Sequence, residues 1–254
     1  MIKRIAVVGD VSAVESALSK TTANEPIEAI VCMPGGTLPP GAAALIADQT
    51  QLDAAVSLAL TQACRNETLL GLVAMALDAR EDMLPGSTQR LVEHAGRFAE
   101  ALCLDPADRL ALERGAYLHD LGKTRISNDV LLKKSVLTYD EWVLLQGHSA
   151  LGAEIIRELE GFEDVEPIIH RHHCCYDGTG YPDGLEKDEI PLLARAMKIL
   201  DVYCAMTSPR HYREGHSTHE EAVAHIESER GKHFDPDLAR VFIDADVGRA
   251  WEAS

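Results

Sequence analysis

No apolar run in this chain approaches the roughly 20 residues that a membrane-crossing helix needs, so no spanning segment is expected. The start, Met1 to Asp10, is basic at Lys3 and Arg4, but its apolar stretch is too short for a secretion signal. Cysteine is sparse, at Cys32, Cys64, Cys103, Cys174, Cys175 and Cys204. None has Cys-x-x-Cys spacing, which argues against a zinc ribbon or a thioredoxin-type motif. Six cysteines in 254 residues make no disulfide framework, and a reducing cytoplasm is the expected location. Basic charge is also short: 24 Lys and Arg against 41 Asp and Glu, a net charge of -17. That argues against polymeric nucleic acid and anionic membrane surfaces as partners. Val8-Gly9-Asp10-Val11-Ser12 lacks the second and third glycines of a dinucleotide fingerprint. Internal repeats and low-complexity tracts are missing too.

Hydrophobic residues make up 46% of the chain, ample for a core. Ile5–Val8 and Ile27–Met33 read as strands with a helix at Ala13–Lys20 between them, a small βαβ unit. A loop follows at Thr37–Ala42, then a short element at Ala43–Ile46. Gln51–Ala79 is Ala/Leu-rich and helical in period, with a break near Asn66, and could pair two copies as a homodimer. From there helices dominate: Leu91–Leu102, Ala107–Leu121, Tyr139–Gln146, Ala150–Leu159, Glu166–His172, Leu192–Met206, Thr218–Glu229 and Pro236–Ile243. Pro85-Gly86-Ser87-Thr88 would cap the first of these. Ser127–Leu137 reads as a loop, and 247–254 as a frayed tail. The expected organisation is a mainly α fold: a small α/β module at 1–66, then a helical bundle at 67–246. Up to Asn66 the net charge is -2, leaving -15 on the helical part.

That helical part carries five histidines and two aspartates in a marked order: His94, His119-Asp120, His148, His172-His173 and Asp201. Imidazole nitrogens and carboxylate oxygens suit divalent Mn, Fe, Co or Zn. Seven such groups are too many for one small ion and about right for two. A two-metal site most often means hydrolysis at phosphorus. Asp120 belongs to the one residue type here that can bridge two ions, since a carboxylate has two oxygens to share. His172 and His173 would point about 100° apart on a helix, so they converge only near a helix end. The loop-forming run from Cys174 to Gly184 supplies that end. Lys123 lies three residues after Asp120 and four after His119, on their face if the helix continues. Its ammonium could hold a phosphate as a point charge. Gly152 would let a neighbouring helix or the metal site come close.

His94, His119-Asp120-Leu121-Gly122-Lys123, His148, His172-His173, Asp177-Gly178-Thr179-Gly180-Tyr181-Pro182 and Asp201-Val202 followed by Ala205-Met206-Thr207-Ser208 stand in one order. Together they resemble the HD-GYP subfamily of the HD phosphohydrolase superfamily, over roughly Leu69 to Asp244. The resemblance implies a helical HD bundle and a bacterial phosphodiesterase that cleaves cyclic di-GMP or a related cyclic dinucleotide to linear pGpG and GMP. It implies one ion on His94, His119, Asp120 and Asp201, and another on Asp120, His148, His172 and His173. Fe or Mn are the metals it implies, with a hydroxide between them as nucleophile. It assigns phosphate binding to Lys123, contact with a second phosphate or a guanine to Arg210 and Arg213, and pocket shaping or stacking to Tyr181.

The chain departs from the family pattern at several positions. Cys174 and Cys204 stand where the family usually has Glu and Asp. Pro209, His211 and Glu214 also differ from it. Arg90 stands where trimetal members carry Glu. Arginine cannot ligate a cation, so two metals are expected, with Arg90 a candidate phosphate contact in the third ion's place. Two further readings stay open: a catalytically weak module that binds the dinucleotide or a diguanylate-cyclase protein, and a phosphohydrolase acting on another ester.

Overall fold

The computed structural model describes residues 5–8, 29–32, 67–81, 83, 86–208 and 216–249, the two earliest segments as backbone. Ile5–Val8 (β1) and Ala29–Cys32 (β2) pair in parallel, Ile5 opposite Ala29 and Val8 opposite Cys32. A parallel pair needs a crossover between its strands, as the βαβ reading expected. The Ala13–Lys20 helix, the Thr37–Ala42 loop, Ala43–Ile46, residues 51–66, Arg210 and Arg213 lie outside the described residues.

Ten helices follow among the described residues: α1 Glu67–Arg80, α2 Ser87–Ala101, α3 Pro106–Leu118, α4 Asn128–Leu131, α5 Tyr139–Gln146, α6 His148–Arg157, α7 Glu166–Arg171, α8 Leu192–Thr207, α9 His219–Ser228 and α10 Pro236–Asp244. Local chemistry sets several of their starts. Asp105 and Asp235 each precede a proline at the first helical position, and each side chain accepts two backbone N–H bonds. Thr138 and Thr218 close capping boxes with Glu141 and Glu221. The expected cap of α2 takes another form. Gly86 is its N-cap in a left-handed conformation, with no side-chain bond of its own. Asp78, on α1, accepts instead from the Thr88 N–H at 3.1 Å and the Thr88 hydroxyl at 2.5 Å. The α1–α2 corner is thus tied by a side chain ten residues upstream.

Beside a small cluster of Cys174, Ile190 and Ala194, two large clusters dominate the core of the described residues. One gathers Leu91 and Phe98 of α2, Leu112 of α3, Met197 and Leu200 of α8, and Phe242 of α10. The other gathers Leu70, Val73 and Leu77 of α1, Leu118 and Leu121, and Ile155 and Ile156 of α6. Helix α3 belongs to both, its middle to the first and its end to the second. His119 and Asp120 follow directly on that end.

The expected helix Ala107–Leu121 stops earlier. α3 ends at Leu118, and Leu121–Arg125 forms a 3-10 turn. Its cause is a close crossing: a Cβ on Gly122 would lie 1.8 Å from the His148 carbonyl oxygen and 2.4 Å from the Gly152 nitrogen. The backbone must bend to lie there, and only glycine fits. Gly152 shares the crossing, as its place in the sequence suggested. The 127–137 loop contains α4. Val247, expected in a frayed tail, is 2% exposed and packs in the first core, while 250–254 lie outside the described residues.

Gly122→Ala should therefore cost about 3 kcal/mol or more, since the overlapping atoms are backbone that cannot rotate away. A urea unfolding curve showing an unchanged midpoint would mean the crossing is looser than this.

Candidate metal centre

Three of the seven candidate ligands sit where a helix stops. His119 follows α3, His148 follows α5, and His172 follows α7. Each turns Nδ1 back onto a carbonyl in the last turn of the helix before it: Ala116 at 3.1 Å, Leu145 at 2.7 Å and Ile169 at 2.7 Å. A carbonyl oxygen only accepts, so Nδ1 carries the proton in each ring. The helix end gains a donor for an otherwise under-bonded carbonyl. The tautomer is thereby fixed, and a neutral ring presents the Nε2 lone pair inward.

Those lone pairs converge. His148 Nε2 lies 3.4 Å from His172 Nε2 and 3.2 Å from His173 Nε2. The ligand atoms of the three all lie within 4.8 Å of one another. Lone pairs facing each other at this range repel unless a cation or proton sits among them. The neighbouring charges keep protons away: burial, then the adjacent imidazoles, hold His172 well below its ordinary range, and burial, then His148 and Lys198, do the same for His173. The donor set therefore fits a metal ion. α7 ends at Arg171, so the adjacent pair stands at the helix end that convergence required.

Asp120 joins this group to a second one. Its Oδ1 lies 3.3 Å from His148 Nε2, and its Oδ2 lies 3.0 Å from His119 Nε2. The two oxygens of one carboxylate thus face two sets of imidazoles, the disposition a bridging ligand needs. Asp201, on α8, approaches His119 Nε2 at 4.0 Å. Burial would push His119 down, but Asp120 and Asp201 overcome it and hold the ring up at about 9. A divalent cation would compete with that proton. His94 is different. It is 2% exposed, stands edge-on to Tyr203, and finds no hydrogen-bond partner for either ring nitrogen among the described residues. Burial, then the Arg90 charge, lowers it to about 4; a weak opposing pull from the Val247 backbone does not reach hydrogen-bond geometry. Among the described residues His94 is not on the cleft that His119, Asp120 and Asp201 line. Its neighbours, Tyr203, Arg90, Arg97, His219 and Val247, include none of the other six candidate ligands, so the structure does not bring it to them.

Lys123 was expected on the helical face of His119 and Asp120. In the 3-10 turn residues three apart eclipse, so Lys123 still lies over Asp120, at 2.8 Å from its Oδ2. It is also 2.8 Å from Glu81 Oε2. Burial opposes its charge, but the two carboxylates raise its pKa above the usual lysine range. α1 braces this turn twice over, because Arg80 donates to the carbonyls of Lys123 and Ile126.

The loop after α7 folds back over the imidazoles. A Cβ on Gly180 would meet the Cys175 nitrogen at 2.3 Å and the His173 oxygen at 2.4 Å, so glycine is needed there. Tyr181 then stacks on His173 with ring centroids 4.7 Å apart. The Tyr181-Pro182 peptide is cis. Cys174 donates its thiol to the Tyr181 carbonyl at 3.3 Å. Arg90 is buried and faces the end of α8, donating to Cys204 O at 2.9 Å, Thr207 O at 3.3 Å and the Ser208 hydroxyl. It joins the helix of His94 to the helix of Asp201. A cleft of about 250 Å³ opens above the group, lined by His119, Asp120, Lys123, His148, Tyr181 and Asp201 among others.

A family model described as an HD domain matches residues 71–238. The chain belongs to the HD domain family. Its hydrolases depend on metal, and the His148–His172–His173 cluster is a group that could hold one. The relatives are of the HD-GYP type that the Gly180-Tyr181-Pro182 motif indicated. The chain is 38% identical over 174 residues to the cyclic di-GMP phosphodiesterase response regulator RpfG of Xanthomonas campestris, covering 68% of this chain and 46% of that protein. It is 36% identical over 137 residues to the 3'3'-cGAMP-specific phosphodiesterase 3 of Vibrio cholerae, covering 54% and 30%. The chain therefore spans about a third to a half of the length of these relatives. A crystal structure of a cyclic GMP-AMP specific phosphodiesterase from V. cholerae shares the fold, with a TM-score of 0.56 at 21% identity, over 73% of this chain and 49% of that one. No helix among the described residues is long and apolar enough to cross a membrane.

Sequence reasoning missed Glu81 and Asp78, both of which line the cleft. No spacing rule marks them, because α1 reaches the site only through tertiary packing. Cys174 and Cys204 are buried, and burial raises both thiols, Cys204 to about 12. A neutral, enclosed thiol is a poor nucleophile. Iodoacetamide on the native protein should therefore label exposed Cys103 and spare Cys174 and Cys204 until urea is added. Peptide mapping that finds either one modified in the native state would show that it opens to solvent.

Proposed function

We propose that this chain hydrolyses a phosphodiester bond of a cyclic dinucleotide, cyclic di-GMP or 3'3'-cGAMP, at a centre of two divalent ions, Fe or Mn. The observation that carries this reading is Asp120, whose two oxygens face His119 on one side and His148 on the other. His119, Asp120 and Asp201 would hold one ion, while His94, which the resemblance assigned to it, stands against Tyr203 off the cleft. Asp120, His148, His172 and His173 would hold the second. Bound there, the pair supplies an acidified water as nucleophile and neutralises the non-bridging phosphate oxygens.

The remaining residues position the substrate. Lys123 has three N–H donors, and Asp120 and Glu81 take two of them. The third can meet a phosphate oxygen with no rotamer search, because both carboxylates already hold the ammonium in place. Tyr181 lines the cleft and is braced on His173, so its ring walls one side of the bound sugar-phosphate. The net charge of -17 works against long polyanions, while a small ester is drawn by the ions alone. Relatives named for cyclic di-GMP and for 3'3'-cGAMP both align with this chain, so both compounds belong in the assay.

Anaerobically purified protein should carry two Fe or Mn per chain and convert at least one of the two dinucleotides to linear product. Asp120→Ala should lose both ions together with turnover; retention of two ions would end the bridging role. Lys123→Ala should keep the metals and lower kcat/KM on the order of 10²-fold. Intact metals with no turnover of either compound would overturn the reading.

A further inference from the structure

Helix α5 buries none of its residues, yet both of its ends are fastened. Thr138 and Glu141 form its capping box, and Lys133 pairs with Glu141 at 2.6 Å. At the other end the Leu145 carbonyl accepts from His148 Nδ1 at 2.7 Å. This rigid helix holds Trp142 at 49% exposure on the wall of the metal cleft, with Leu145 and Gln146 beside it. An indole kept half in water is costly unless it meets an apolar partner.

The cleft lining is of two chemical kinds: Asp120, Lys123 and His148 are charged or hydrogen-bonding, while Trp142, Tyr117 and Leu145 are apolar or aromatic. A ligand matching both carries an anion and a flat apolar face on one molecule. The cleft volume of about 250 Å³ is below the roughly 300–1,000 Å³ usual for small-molecule sites. A cyclic dinucleotide therefore extends beyond the cleft, and Trp142, a lining residue that is 49% exposed, reaches the solvent on that path.

We infer that Trp142 is the stacking platform for one purine base of the ligand, binding the nucleotide half that projects from the cleft. This rests on the reading of the site as a cyclic-dinucleotide centre. Stacking reads no base edge, so the platform contributes affinity and takes guanine or adenine alike.

The chain has two tryptophans, Trp142 and Trp251, so Trp251→Phe leaves Trp142 as the sole indole reporter. With metals bound, phosphorothioate cyclic di-GMP should quench its fluorescence saturably, at the same concentration that inhibits hydrolysis. Trp142→Ala should raise KM about 10-fold with little change in kcat, and Trp142→Phe should restore most of the loss. Because α5 has no fully buried residue and Trp142 is half exposed, circular dichroism and the urea midpoint of Trp142→Ala should stay close to the parent. Hydrolysis with unchanged KM in Trp142→Ala and no quenching would overturn the platform while leaving the proposed function standing. Fluorescence that shifts on protein dilution but not with ligand would give this face to a second copy of the chain. A parent protein that neither binds nor cleaves any cyclic dinucleotide would overturn both.

Discussion

A carboxylate taken out of water is costly unless positive charge and donors surround it, and Asp120 is where this molecule meets that constraint. It sits at the seam between the two cores, immediately after the buried end of α3. Burial alone would raise its pKa; His119, Lys123 and His148 bring it well below the carboxylate range instead. His119 ends α3, Lys123 lies in the 3-10 turn just after it, and His148 comes from the start of α6. The Gly122 crossing, the Arg80 and Glu81 brace and the end of α5 are all needed to deliver them. The fold around the seam is in this sense an arrangement for keeping one carboxylate ionised in the dark.

Helix ends do the aiming. A ligand on a loop would have to be ordered separately; a ligand whose Nδ1 is bonded to the last turn of the helix before it is ordered by that helix. His119, His148 and His172 use that device three times, and each also settles which nitrogen faces the centre. Asp201 lies mid-helix on α8 and depends on how α8 meets α2. Arg90 governs that meeting. Its guanidinium takes carbonyls at the end of α8 while its backbone sits one turn before His94. Arg90, expected as a phosphate contact, instead ties helix to helix and is not among the residues lining the cleft.

The two cysteine departures follow the same logic. Cys204 lies beside Asp201 on the buried face of α8, and Cys174 fastens the Tyr181 loop through a thiol bond to backbone. Cys204 lines the cleft beside Asp201, while Cys174 reaches the centre only through the placement of the Tyr181 loop.

The helical class, most helix limits and the set of ligand types were legible in the chain, because period, proline and capping residues act over a few neighbours. The Asp-Pro starts and Thr-x-x-Glu boxes are decided within four positions, and the His172-His173 end was forced by the 100° step. Three things were not legible. The stop of α3 at Leu118 depends on the His148 backbone, 26 residues downstream of Gly122. Asp78 and Glu81 join the site from α1 with no motif to mark them. Val247 leaves an apparent tail to fill the first core. Local sequence determined which groups could ligate and which segments would be helical. Only the tertiary structure decided which of Asp120's oxygens meets which imidazole, since that depends on where separate helices end relative to one another.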